Sequence, residues 1–122
     1  DEFGLTPLLW QNRHEPTPLL VINTTPLGMR GKAEQDTPYD FSLGTPPAPA
    51  NDAKATPLAY DIVYNPLETR FLREARAAGR RCISGLEMFF GQGDAQFRLW
   101  TGQGLPPESR RALEAALGQQ PR

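Results

Sequence analysis

Residues 58–100 read LAYDIVYNPLETRFLREARAAGRRCISGLEMFFGQGDAQFRLW, and the reading of this stretch decides the fold. Leu58-Ala59-Tyr60-Asp61-Ile62-Val63-Tyr64 is a β-branched and aromatic run, long enough for one buried strand. Asn65-Pro66 stops it. Asn65 is placed as a helix N-cap, Pro66 suits the first helical position, and Glu68 stands three residues after the cap. Leu67, Phe71, Leu72, Ala75 and Ala78 then give one apolar helical face, with Gly79 as its C-terminal stop. Arg81-Cys82-Ile83 is a minimal strand. Ser84 with Glu87 forms a second capping box that opens a helix running to Gly102. On that helix Leu86, Phe90, Gly93, Phe97 and Trp100 recur at helical spacing and are expected to pack on the body.

A second line on the same helix carries Gly85, Met88 and Gln92. Positions seven apart nearly eclipse, roughly 10 Å apart along the axis. Gly85 and Gln92 therefore look out in one direction, and a glycine there would let a ligand approach the backbone closely. A flexible cap plus an ordinary surface glutamine accounts for the same residues, and spacing alone favours that reading.

Upstream, Leu19-Leu20-Val21-Ile22 is the most strand-like run in the chain, and its unbroken apolar character fits a parallel strand covered on both faces. Asn23-Thr24-Thr25-Pro26-Leu27-Gly28 follows at its C-terminal end, where open α/β sheets hold their ligands. A plain strand-ending turn would use the same Asn and Gly. Asp1-Glu2-Phe3-Gly4 looks like the last turn of a helix whose body is missing, which reads as a truncated start. Leu5 to Trp10 is at best an edge strand, being broken by Pro7. Residues 30–57 are rich in Pro, Ala, Thr and Asp and form a surface loop with a mobile tip around Thr45–Pro49, pinned to the body by alternating Tyr39, Phe41 and Leu43. Glu108 to Leu117 is a short closing helix with Leu113 and Leu117 inward and Arg110, Arg111 and Glu114 outward; Gly118 ends it and Gln119 to Arg122 fray.

Composition narrows the function classes. A chain of 122 residues makes one domain or a piece of one. A net charge of −1 points to no nucleic-acid or acidic-membrane partner. No apolar run approaches the ~20 residues of a membrane span, and no signal pattern opens the chain. The one cysteine, Cys82, excludes an internal disulfide and suits a reducing cytoplasm; with no histidine near it in sequence it reads as a packing residue. His14, the single histidine, sits in a polar turn and has no cluster with which to build a triad or a zinc site, so it reads as a solvated side chain. Strands alternating with helices imply a parallel sheet in the α/β class.

Three motifs carry a resemblance. Asp61-Ile62-Val63-Tyr64-Asn65-Pro66 with Thr69, Gly85-Leu86-Glu87-Met88 with Gln92, Phe97 and Leu99-Trp100-Thr101-Gly102, and Asn23-Thr24-Thr25-Pro26-Leu27-Gly28-Met29 resemble, in order and spacing, stretches of the shikimate dehydrogenase family. The resemblance runs from Leu19 to Gly102. It implies a partial Rossmann-like parallel sheet with flanking helices, residues 1–122 being the C-terminal portion of a dinucleotide-binding domain. It implies NADPH-dependent reduction of 3-dehydroshikimate to shikimate in aromatic amino-acid biosynthesis, in the cytoplasm, with NADP as cofactor and the shikimate pair as substrate. Carried over position by position, Ile62 matches the residue beside the nicotinamide and Gly85 the glycine whose backbone meets it. Thr24 and Thr25 match a stretch that lines the cofactor. Tyr64 matches the phenol that contacts the substrate, and Gln92 the amide that hydrogen-bonds it.

The departures are as informative. Nothing in the chain matches the family's catalytic lysine and aspartate, and Lys32, Lys54 and Asp61 are not drafted into those roles. The Gly-rich phosphate loop and the basic stretch that grips the 2′-phosphate are absent, so NADP over NAD is not read from this sequence; Gly91-Gln92-Gly93 lies inside a helix. The expectation is a piece inactive alone, with an open sheet edge that calls for a complementary N-terminal segment or self-association. Two other readings stay open: a non-catalytic nucleotide- or partner-binding module, and a quinate-using relative.

Overall fold

Three short apolar runs pair as parallel strands in the order β1 (Leu20–Asn23), β2 (Leu58–Asp61), β3 (Arg81–Ile83). Helix α1 (Arg70–Ala77) connects β2 to β3, α2 (Gly85–Thr101) leaves the end of β3, and α3 (Ser109–Gly118) closes the chain. The computed structural model describes residues 3–43 and 55–118. The tip at Thr45–Pro49 and the ends at Asp1, Glu2 and Gln119–Arg122 lie outside the described residues.

Period-two alternation sorts the strand side chains onto two faces. Val21, Asn23, Ala59, Asp61 and Cys82 share one face, and α1 packs on it. There Phe71, Leu72 and Ala75, from the apolar stripe of α1, join Ala59, Tyr39 and Phe41 in the core. Phe71 is fully buried and meets Phe41 edge-on with ring centres 5.0 Å apart; Phe41 meets Tyr39 at 4.9 Å. Each such side chain contributes about 1.5–3 kcal/mol by leaving water. Cys82 packs against this cluster half-buried, its thiol 3.5 Å from the Leu72 carbonyl, and burial pushes its pKa up. Tyr39 and Phe41 therefore pin the long loop as the sequence implies, whereas Leu43 is exposed.

The opposite face carries Leu20, Ile22, Leu58, Tyr60, Arg81 and Ile83. Leu20 and Ile22 are both 47% exposed. A strand covered on both faces was the expectation for Leu19–Ile22; the sheet is covered on one face only, because no element among the described residues lies over the other. No strand among the described residues pairs with the outer edge of β1.

Arg80, just before β3, is buried. Its Nη1 donates to the carbonyls of Pro18 (2.9 Å) and Leu19 (3.2 Å), and its guanidinium lies over the Phe41 ring. It ties the entrance of β3 to the entrance of β1. Burial pushes its pKa down, partly offset by Tyr39.

Several local expectations fail for identifiable reasons. The run 58–64 is a strand only to Asp61, beyond which Val63 bonds the Asp61 side chain instead of a ladder. The helix after it is capped by Thr69, whose hydroxyl accepts from the Leu72 amide; Asn65-Pro66 lies in the turn before it, joined by a cis peptide bond, so the cap predicted at Asn65 does not form. Thr69 is held by the buried bond of its hydroxyl to the Asp61 carboxylate, which places the cap at the start of α1. Ser84 starts α2 without a side-chain cap bond, the Glu87 amide donating to the Ser84 carbonyl instead, and the Glu87 carboxylate pairs with Arg110. That ion pair depresses the Glu87 carboxyl and links α3 to α2. Of the predicted inward stripe on α2, only Leu86 is buried; Trp100 is 76% exposed. Leu5–Trp10 forms no strand, and residues Trp10–Asn12 make a 3-10 turn. His14 is not simply solvated: its Nδ1 accepts from the Asp40 amide at 3.0 Å and its ring lies against Tyr39. In α3, Leu113 and Leu117 are half-buried, and so are Arg110 and Glu114, which pair with each other. Arg70 and Glu74, one turn apart on α1, form an ion pair. No helix among the described residues is long and apolar enough to cross a membrane.

Candidate functional site

Asn23 ends β1, Asp61 ends β2, and the two are register partners with fully buried side chains. A buried carboxylate is unfavourable unless its lone pairs are met. Asp61 meets them with three donors. Its Oδ1 accepts from Asn23 Nδ2 and from the Val63 amide, each at 3.0 Å, and its Oδ2 accepts from the Thr69 hydroxyl at 2.5 Å. Burial still holds the Asp61 pKa above the ordinary carboxylate value; the bonds from Thr69, Val63 and Asn23, in that order, pull it part of the way back. With every oxygen engaged, this carboxylate positions the ends of two strands and the start of α1 and is not a free base. The sequence carried a signal for it: one acid inside the otherwise uncharged run LAYDIVY.

The Asn23 amide organises the loop that follows β1. Its Oδ1 accepts from the Thr25 amide (2.9 Å) and the Thr25 hydroxyl (2.7 Å), and its Nδ2 also donates to the Leu27 carbonyl (3.1 Å). The Thr25 hydroxyl additionally accepts from the Leu27 amide. Thr25 is thus engaged within the loop, while Thr24 is exposed. Gly28 has φ of +93° and lies so near Thr69 that a Cβ would sit 3.2 Å from the Thr69 Cβ. The loop after β1 and the cap of α1 therefore fit face to face.

At the end of β2 the Ile62 amide donates to the Asn23 carbonyl (3.1 Å), carrying β2 alongside the same loop. Gly85, the first residue of α2, is buried directly against this exit. A Cβ at residue 85 would stand 2.3 Å from the Ile62 carbonyl oxygen and 2.6 Å from the Val63 carbonyl carbon. The close approach that glycine permits here is that of the strand's own backbone. Ile62 and Gly85 are consequently in contact. Tyr64, half-buried, stacks on Phe89 with ring centres 4.2 Å apart and 28° between planes. Gln92, exposed, stands one helical turn beyond Phe89.

Of the six residues singled out from the sequence, Ile62 and Gly85 touch, Tyr64 joins α2 through Phe89, and Gln92 lies on the next turn. Thr24 and Thr25 stand at the end of the neighbouring strand. Thr24, Thr25, Ile62, Tyr64 and Gly85 stand on the rim that follows the carboxyl ends of the three parallel strands, and Gln92 lies about two turns along α2. Sequence reasoning missed Asn23, Asp61, Thr69 and Phe89 as the groups that hold this rim in place. A 900 Å³ hollow lined by Trp10, His14, Tyr39 and Arg70 includes none of the six. Among the described residues no cluster of His, Cys, Asp and Glu could hold a metal ion.

The family model described as "Shikimate 5'-dehydrogenase C-terminal domain" matches residues 85–113, which include Gly85, Phe89 and Gln92. A shikimate dehydrogenase (NADP(+)) of Pelobacter propionicus is 49% identical over 117 residues, covering 96% of this chain and 39% of that protein. The chain belongs to the shikimate dehydrogenase family. A second relative of the same name, from Oleidesulfovibrio alaskensis, is 46% identical and covers 94% of the chain and 39% of that protein. The crystal structure of shikimate 5-dehydrogenase from Thermus thermophilus, in complex with NADP(H) and shikimate, superposes with a TM-score of 0.67 at 34% identity; it covers 95% of this chain and 40% of that one. The chain thus spans about two fifths of the length of these three proteins. Its parallel sheet with flanking helices is the Rossmann-like arrangement expected from the sequence.

Proposed function

We propose that this chain supplies the nicotinamide- and substrate-facing rim of an NADP-dependent shikimate dehydrogenase that interconverts 3-dehydroshikimate and shikimate in the cytoplasm. The observation that carries the reading is the contact of Gly85 with the Ile62–Val63 backbone, which sets the substrate-facing helix against the segment after β2 that bears Ile62 and Tyr64. The rim fits one end of the cofactor: a half-buried aliphatic side chain at Ile62 and an exposed hydroxyl at Thr24 suit a nicotinamide and its ribose. It does not fit the pyrophosphate, for which the chain has no Gly-rich loop. When bound, NADPH supplies the hydride. Ile62 packs against the nicotinamide and excludes water from one side of it. The Tyr64 phenol and the Gln92 amide hydrogen-bond the substrate's hydroxyls or carboxylate and fix the ring. No residue of this rim moves a proton at the reacting carbon: Asp61 is fully engaged, and the acid–base pair comes from outside the rim.

The test joins this chain to the remaining part of the Pelobacter propionicus relative. The joined protein is expected to reduce NADP+ when shikimate is added, and the chain alone is expected not to. A joined protein that folds but binds no shikimate overturns the reading. Within it, Tyr64→Phe and Gln92→Ala each remove about one hydrogen bond, raising KM for shikimate about tenfold with little change in KM for NADP+. Equal effects on both constants contradict the assigned roles.

The same reading assigns a partner to the open side of the sheet. A complementary segment adds a parallel strand beside β1 and a layer over Leu20, Ile22, Tyr60 and Ile83, hiding the apolar face and the open edge. Sedimentation of the isolated chain should show self-association, and Ile22→Glu should suppress it. A sharply monodisperse monomer of the unmodified chain overturns this expectation.

A further inference from the structure

Among the described aromatic pairs, the contact between Tyr64 and Phe89 stands apart. Tyr39–Phe41 and Phe41–Phe71 are edge-on and sit in the core, where they fill space. Tyr64–Phe89 is near-parallel at 4.2 Å, and neither ring belongs to the core cluster. Both rings are half-buried, so the pair stands at the rim with one side in the protein and one side towards solvent.

The placement of Phe89 follows from the residues before it. Gly85 has no room to move, being wedged against the Ile62 and Val63 carbonyls. Leu86, the next residue, is buried. Phe89 is three residues after Leu86 and three before Gln92, on adjoining turns of one side of the helix. A buried first turn, packed on the Ile62–Val63 backbone, therefore carries an aromatic plate to Tyr64 and an amide one turn beyond it.

We propose that Phe89 is a positioning residue for substrate recognition, its ring setting the plane of the Tyr64 phenol so that the hydroxyl is aimed at the bound shikimate. This rests on the reading of Tyr64 as a substrate contact. A tyrosine in the irregular segment after a strand has freedom about χ1 and a broad χ2. Near-parallel stacking restricts both, because tilting the phenol would break the offset contact between the ring faces. An aliphatic side chain at residue 89 would fill the volume without imposing a plane. The proposal thus predicts a dependence on aromaticity, which a packing role does not.

The experiment uses the joined protein described above, with Tyr64→Phe as the reference. Phe89→Leu is expected to raise KM for shikimate about three- to tenfold, leaving KM for NADP+ and the far-ultraviolet circular dichroism unchanged. Phe89→Tyr, which keeps the ring, is expected to restore KM for shikimate to within about twofold. The combination of Phe89→Leu with Tyr64→Phe should be no worse than Tyr64→Phe alone, since a ring without its hydroxyl has nothing to aim. If Tyr64→Phe raises KM while Phe89→Leu does not, the positioning role is wrong and the substrate contact stands. If Tyr64→Phe itself leaves KM unchanged, the substrate reading of Tyr64 fails and this inference falls with it. Equal loss in both KM values, or additive effects in the double variant, would show that Phe89 only holds α2 in place.

Discussion

Replacing Asp61 by leucine is expected to lower the unfolding free energy by about 3–5 kcal/mol, enough to leave little folded protein. The reason is what the carboxylate leaves behind. Asn23 Nδ2, the Val63 amide and the Thr69 hydroxyl all point at it, and all three lose an acceptor inside the protein. Urea unfolding followed by circular dichroism measures the loss, and a destabilisation under about 1 kcal/mol would mean that water or a shifted backbone satisfies those donors. Asp61→Asn is the gentler probe. Its carbonyl keeps Asn23 and Val63, while its NH2 faces the Thr69 hydroxyl, which also accepts from Leu72. The folded pKa of Asp61 is raised, so the folded state holds this proton more tightly than the unfolded chain does. The contribution of Asp61 is then full below the ordinary carboxylate value and is lost as pH rises through the raised folded value. The native protein should accordingly gain on Asp61→Asn as pH falls from neutral through that window. A gap that widens in the opposite direction contradicts the raised pKa.

Gly85→Ala is expected to cost about 2–3 kcal/mol and to reduce kcat/KM for shikimate about a hundredfold. The added methyl would meet main-chain atoms of Ile62 and Val63 at 2.3–2.6 Å, and main chain in the exit of a strand does not swing aside as a side-chain tip does. Helix α2 must retreat, taking Phe89 and Gln92 away from Tyr64. Steady-state kinetics and thermal unfolding of the joined protein check both halves. Retained activity with a normal melting temperature would mean that α2 and β2 do not meet as closely as described.

The strands were legible because short runs of Leu, Val, Ile and Tyr bounded by Asn, Pro and Gly say little else. The cores of α1 and α2 were legible from their periodicity, though their caps were not. Asn65-Pro66 with Glu68 has the local chemistry of a helix start, yet a bond from Thr69 to a carboxylate eight residues earlier outweighs it. Such a tertiary bond leaves no trace in a window of a few residues. The stripe Phe90, Phe97, Trp100 on α2 reads as a buried face, and so do Leu20 and Ile22; periodicity reports that a surface is apolar and is silent on whether anything covers it. For the rim, the family motifs singled out Ile62, Gly85, Thr24, Thr25, Tyr64 and Gln92 as candidates. The polar groups that brace them were invisible as a set, since Asn23, Asp61 and Thr69 are scattered along the chain and converge only in the folded sheet.

That convergence also answers how two strands so far apart in sequence find one alignment. Asn23 sits opposite Asp61, and sliding either strand by one residue would present Ile22 to the carboxylate and strand the amide against an aliphatic neighbour. Alignment is thereby locked from the ends of the strands and owes nothing to the length of the connector, residues 24–57. Insertions or deletions in the proline-rich middle of that connector should leave the pairing of β1 with β2 undisturbed, which frees this segment to drift in length among relatives while the ledge beyond the strands keeps its shape.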